Sequence, residues 1–184
     1  MGVSLTDDVV AIGRLNAAYA DVITRRAFAE LGELMLPGCS VSLDLVSAPV
    51  RELAGPEVLA GMLRSAMERF DHFMFVIRNS VVDVDVAAGL AAGRTFISEI
   101  RHDRSADVWE ETHGMYEDDY LRVDGRWWFT ERHYGTRRGR GGGDPPDQTA
   151  RPRQRRGRML GRSRPDVHRR RRVHRSGVGS HRGH

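Results

Sequence analysis

An α+β fold is predicted here, with three N-terminal helices packed on a strongly curved, mainly antiparallel sheet, and three observations carry that prediction. Apart from a small hairpin around residues 41–53, apolar residues recur at helical spacing up to Phe70 and at strand spacing beyond it. The first long strand pattern places Phe73, Phe75, Ile77 and Val81 at odd positions but Val82, Val84 and Val86 at even ones. Such a switch near Asn79 predicts a β-bulge, and bulges bend sheets. Finally, Val123-Asp124-Gly125-Arg126 joins two aromatic-rich alternating runs, and Asp-Gly supplies the positive φ angles of a tight hairpin.

The elements follow in order. Ser4 with Asp7 three positions on marks a helix start, after which Ile12, Leu15, Tyr19, Val22 and Ile23 share one face. Phe28, Leu31, Leu34 and Met35 continue as a second, short helix that Pro37-Gly38 stops. Val41, Leu43 and Leu45 alternate with polar residues as a strand, and a partner around Val50 to Leu53 follows the turn at Ala48-Pro49. Gly55-Pro56 opens a third helix whose Val58, Leu59, Met62, Leu63, Ala66 and Phe70 line up. Residues 73–86, 90–101, 108–122 and 126–135 then read as four long strands.

Charge divides the chain. Residues 1–136 carry 13 Arg against 22 Asp and Glu, whereas residues 137–184 carry 16 Arg against 3 Asp. The folded domain is therefore predicted to span 5–136. The Arg- and Gly-rich run 137–184 has no aromatic residue and too little apolar surface to offset its ordering entropy, so it is predicted to be disordered. It would bind nucleic acid only weakly and without sequence preference, since it lacks stacking aromatics. A shifted reading frame through GC-rich coding sequence would give the same composition.

Every basic residue is Arg, which excludes Schiff-base chemistry on lysine. The single Cys39 has no intramolecular partner, and no basic start leads into an apolar stretch, so a cytoplasmic setting is predicted. No apolar run is long enough to span a membrane. P-loop, dinucleotide and G-x-S-x-G motifs are missing, so nucleotide-binding and serine-hydrolase readings have no support.

The order helix, short helix, hairpin, helix and four long strands, closing with Gly114-x-Tyr116-x-Asp118-x-Tyr120 and Gly125-Arg126-Trp127, resembles the SnoaL-like branch of the nuclear transport factor 2-like superfamily. The resemblance covers about residues 5–136 and implies a cone-shaped α+β barrel around a small-molecule pocket. Scytalone dehydratase-like members use an Asp–His dyad. The matching places here are Thr24, where the first helix ends, and Phe75, four residues before Asn79, so both partners are replaced. His72 lies close by in sequence but on the wrong strand parity for a base.

Alternation then assigns the pocket. Phe75, Ile77 and Asn79 would enter it from the first long strand, with Gly93, Thr95, Ile97 and Glu99 from the second. Thr112, Gly114 and Tyr116 would follow from the third, and Thr130, Arg132 and Tyr134 from the fourth. The ligand-binding set expected is Tyr19, Phe75, Asn79, Thr95, Ile97, Tyr116 and Tyr134. Glu99 and Arg132 are the catalytic candidates: Glu99 is either a desolvated carboxyl poised for proton transfer or, as buried charges usually are, paired with Arg132.

The opposite parity carries Phe96, Ile100, Trp109, Met115, Trp127 and Phe129, too apolar for a solvated face, which predicts a homodimer through the sheet. Among them His113 and His133 lack metal-site spacing, and no metal or cofactor is expected. The functional expectation is a lyase or isomerase that acts without cofactor on a hydrophobic, oxygenated small molecule of polyketide- or steroid-like type. The alternative is a non-catalytic ligand-binding or dimerisation module.

Overall fold

Local sequence chemistry accounts for where most elements begin and turn. In the computed structural model, which describes residues 4–45 and 48–140 with the side chains of 137–140 excepted, the order is α1 (Leu5–Arg25), a 3-10 helix (Phe28–Glu33), β1 (Met35–Asp44), β2 (Arg51–Ala54), α2 (Pro56–Met67), β3 (Phe70–Asp85), β4 (Leu90–Asp103), β5 (Val108–Val123) and β6 (Arg126–Arg140). Ser4 caps α1 in a capping box with Asp7, as the sequence predicts. Asp124 and Gly125 take φ angles of 51° and 79°, the left-handed pair that the β5–β6 hairpin needs.

The six strands form one curved sheet in the order β2-β1-β6-β5-β4-β3. All neighbours are antiparallel except β1 and β6, which run parallel because the chain returns past its first strand after the long meander. β6 continues four residues past the expected boundary at 136, to Arg140. The rest of the tail expected to be disordered, from 141 onward, lies outside the described residues.

Two α-helices and one 3-10 helix stand where three helices are expected. The middle element ends at Glu33; Leu34 caps it, and Met35, Pro37 and Gly38 belong to β1, where the register with β6 shifts between Met35 and Ser40. Pro37 is tolerated at that irregular strand start, where a regular ladder bond is not required of it. In α2, Leu59, Ala60 and Met67 are buried while Val58 faces solvent, and Phe70 already opens β3. Gly55, with φ 85°, cannot be replaced cheaply: a Cβ there would sit 2.8 Å from the Pro37 carbonyl oxygen.

The bulge near Asn79 is present as a register shift between Ile77 and Asn79 against β4. Its effect on Asn79 differs from expectation. The bulge leaves Asn79 exposed and brings the next residue, Ser80, also exposed, opposite buried Thr95, where the two hydroxyls meet at 3.0 Å.

A second bulge lies in β6, where the register with β5 shifts between Asp119 and Tyr120. Thr130 is the extra residue, its hydroxyl donating to the Asp119 carbonyl at 3.0 Å. Parity therefore reverses there: Trp127 and Phe129, expected on the outer face, are buried in the core, and Arg132 and Tyr134 are also inward.

Helix α1 crosses the inner face and is fixed to it along its length. Near its N-terminus buried Asp8 accepts from Arg122 Nη1 and Trp127 Nε1, each at 2.8 Å. Midway, Asn16 donates to the Tyr120 hydroxyl at 3.1 Å, and Tyr19 packs edge-on to Phe75, Tyr116 and Phe129. Near its end, Thr24 Oγ1 accepts from the Phe75 backbone N–H at 3.1 Å. No helix among the described residues is long and apolar enough to cross a membrane.

Candidate active site

A cavity of about 760 Å3 opens between α2, the ends of β1 and β2, and the inner face of β3 to β6. Leu59, Met62 and Leu63 of α2 form one wall; Phe70 and Phe73 of β3 form another. The polar side chains come mainly from the sheet: Glu99 and Arg101 of β4, Thr112 and Tyr116 of β5, Tyr134 and Thr136 of β6, with Tyr19 from α1. Arg51, Ser65, Arg69, Glu110 and Glu111 complete the polar lining, so that apolar walls and converging polar groups meet, as in small-molecule sites generally.

Glu99 lies on this surface with its side chain 17% exposed. Burial raises its carboxyl above the ordinary value, opposed only by Arg101, whose Nη1 is 3.5 Å away. Arg101 is itself held more closely by Glu110, at 2.7 Å. Glu99 is therefore desolvated and loosely paired, with its carboxyl held above the ordinary value.

Three phenols share the site. Burial raises Tyr19, Tyr116 and Tyr134 above their ordinary values, and the negative charge of Glu99 adds to the shift of each. They stay protonated and can donate hydrogen bonds to a ligand oxygen. The Tyr134 ring lies over Gly114, where any Cβ would collide with it, and packs on Tyr116 at 4.9 Å between centroids.

Arg132 is not at the cavity surface. It is 1% exposed and is bound by Asp118 through Nε at 2.7 Å and Nη2 at 3.2 Å. Its guanidinium is enclosed by the rings of Tyr19, Tyr116 and Phe129, 3.9 to 4.2 Å from their centroids. Among the described residues its Nη1 is the one buried side-chain nitrogen or oxygen without a hydrogen-bond partner, and the aromatic faces supply the compensating attraction. Burial opposes its charge, but Asp118 and the two tyrosines more than offset this, and its pKa lies above the ordinary value. Burial also pushes the Asp118 carboxyl up, against the pull of Arg132.

The expected Glu99–Arg132 pair is thus replaced by two others. Asp118 is directly opposite Arg132 in the β5–β6 register, whereas Glu99 is opposite Thr112 on β5, which separates β4 from β6. Cross-strand neighbours meet before residues two strands apart can. Asp118 was accessible to sequence reasoning, because Gly114, Tyr116, Asp118 and Tyr120 share one parity. Of the expected ligand-binding set, Tyr19, Tyr116 and Tyr134 line the cavity. Phe75, Thr95 and Ile97 are packed in the core, and Asn79 is on the surface. The α2 wall and Arg101 were missed; no strand alternation points to a helix as the other side of a pocket.

Thr24 and Phe75, the places assigned to the dyad, are neighbours in space but hydrogen-bond each other through a hydroxyl and a backbone amide, with no titratable group. His72 packs on Trp109 at 5.1 Å and does not line the cavity. No cluster of three or more metal-ligating side chains exists among the described residues.

A family model for the SnoaL-like domain matches residues 4–133. The chain belongs to that family, within the nuclear transport factor 2-like superfamily. Solved structures share the fold at low identity. One, from Novosphingobium aromaticivorans and provisionally named a scytalone dehydratase, is 22% identical with a TM-score of 0.65, covering 79% of this chain and 95% of its own. The hexachlorocyclohexane dehydrochlorinase LinA-type3 from Novosphingobium barchaimii is 15% identical with a TM-score of 0.63, over 72% and 88%. Aln2 from a Streptomyces species is 15% identical with a TM-score of 0.59, over 73% and 93%. No curated protein matches in sequence.

Proposed function

We propose that this SnoaL-like protein is a cofactor-independent lyase or isomerase that moves a proton on a hydrophobic, oxygenated small molecule of polyketide- or steroid-like type. The observation that carries this reading is the placement of Glu99: a desolvated, loosely paired carboxyl at the wall of an apolar cavity, beside three protonated phenols. In the ionised form Glu99 takes a proton from the carbon next to a carbonyl. The C–H electron pair moves onto the carbonyl oxygen, which accepts hydrogen bonds from the tyrosine hydroxyls. Return of the proton to another carbon completes an isomerisation; departure of a β-substituent with its bonding pair completes an elimination.

Arg132 touches no substrate in this scheme. Its positive charge lies behind the rings of Tyr19 and Tyr116 and lowers the cost of negative charge at their hydroxyls. Glu99→Gln removes the base while keeping size, and kcat should fall by roughly 10² to 10⁴-fold. Unchanged turnover would remove Glu99 from the mechanism.

The second reading, a non-catalytic binding module, is favoured by one observation, the closed Thr24–Phe75 hydrogen bond where relatives place a dyad. Mass spectrometry of a ligand released on denaturation separates the two. A ligand that returns unaltered after prolonged incubation with fresh protein favours binding alone. In either case the outer sheet face, with Phe96, Ile100 and Met115 half-buried and Trp109 62% exposed, fits a homodimer, which sedimentation would detect.

A further inference from the structure

The rim of the cavity carries a charge pattern that the proton-transfer scheme does not use. Arg51, Arg69, Glu110 and Glu111 line its exposed side, and the less exposed Glu99 and Arg101 line it further in. The acidic groups already have cationic partners: Glu110 is bound by Arg101 at 2.7 Å, and Glu111 by Arg78, from outside the cavity, at 2.6 Å. Two of the guanidiniums are far less satisfied. Arg51 has no hydrogen-bond or ion-pair partner among the described residues. Arg69 reaches Asp103 only through Nε at 3.5 Å, while the other carboxylate oxygen of Asp103 is occupied by Ser105 and Ala106. The Arg69 guanidinium otherwise lies over the Phe70 ring, 4.6 Å from its centroid, at the start of the apolar wall.

We infer that the natural ligand of this cavity is an apolar molecule bearing one carboxylate, held at the rim by Arg51 and Arg69 with its apolar body directed inward. This rests on the reading of the cavity as a small-molecule site. Guanidinium forks match a carboxylate in shape and charge, and both arginines are exposed enough to receive it without a buried-charge penalty. Behind them, Leu59, Met62, Leu63 and Phe73 offer only apolar surface, so the rest of the molecule must be hydrophobic. A single negative charge fits better than the double charge of a phosphate, because Glu110 and Glu111 share the rim.

The test uses the full chain, with 2-naphthylacetate and its uncharged isostere 2-naphthylacetamide as fluorescent probes. The carboxylate should bind about tenfold more tightly than the amide at low salt, as expected of two exposed ion pairs. The gap should close at about 0.5 M NaCl, where such contacts are screened. Arg51→Gln combined with Arg69→Gln should weaken carboxylate binding about tenfold and so abolish the preference; both residues are on the surface, so the fold should persist, which circular dichroism checks. Equal binding of the two probes by the unmodified protein overturns the proposal. So does a preference that survives the double substitution, which would assign the charge recognition to another part of the chain, such as its Arg-rich tail. Failure of both probes to bind overturns the small-molecule reading itself.

Discussion

Asp118 and Glu99 are carboxylates on adjacent strands, both directed to the inside of the same sheet, yet their surroundings differ sharply. Asp118 is enclosed and holds its partner Arg132 by two hydrogen bonds inside a sleeve of aromatic rings. Glu99 borders open space, with one guanidinium at 3.5 Å that Glu110 holds more closely. A buried charge with a close partner is committed to structure; one without a close partner can change protonation state at modest cost. Burial alone therefore does not separate the two carboxylates; the directness of pairing does, and the proposed role of Glu99 rests on that difference.

The largest test of that contrast is Arg132→Ala. It leaves Asp118 buried without a counter-charge, and unfolding free energy should fall by about 3–5 kcal/mol at neutral pH, read by denaturant titration. The deficit should shrink in acid as Asp118 takes up a proton. A loss no larger than that of an exposed ion pair would show that the Arg132–Asp118 pair is not the structural partner described.

Gly114→Ala comes next. The new methyl group meets the Tyr134 ring, so a loss of about 1–3 kcal/mol is expected together with weakened ligand binding as the phenol is displaced. Full retention of both would mean that Tyr134 has another place to go.

Glu99→Gln should have the smallest effect on stability, within about 1 kcal/mol, and it should be a gain. The folded protein holds the Glu99 proton more tightly than the unfolded chain does. That stabilisation is complete below the ordinary carboxylate range and is lost as pH rises through the raised value. Gln never ionises and so never loses it. The advantage of the variant should be absent in acid and should grow toward neutral pH in thermal melts. An advantage that fell with rising pH would mean that a close partner holds Glu99 ionised and its carboxyl below the ordinary value.

Local chemistry made much of the fold legible. The Ser4 capping box, the Asp124-Gly125 hairpin and the reversal near Asn79 each depend on residues close together in the chain, where spacing alone is informative. The bulge at Thr130 escaped notice because Trp127 and Phe129 on one parity and Arg132 and Tyr134 on the other do not form two apolar runs; the second run is polar at its tips. The same oversight placed Trp127 and Phe129 on the outer face. Site residues fared unevenly for a related reason. Tyr19, Tyr116, Tyr134 and Glu99 follow from periodicity, whereas the contribution of α2 and the rim arginines depends on how the helix lies over the sheet.

The amino-acid order by itself determined most element types, the fold family and which side chains turn inward over most of each strand, because caps, turns and periodicity act over a few residues. Only the tertiary structure decided which inward charges meet. Pairing across β4, β5 and β6 is set by strand order and by a one-residue bulge, and these long-range facts sealed Arg132 behind aromatic rings while leaving Glu99 at the cavity.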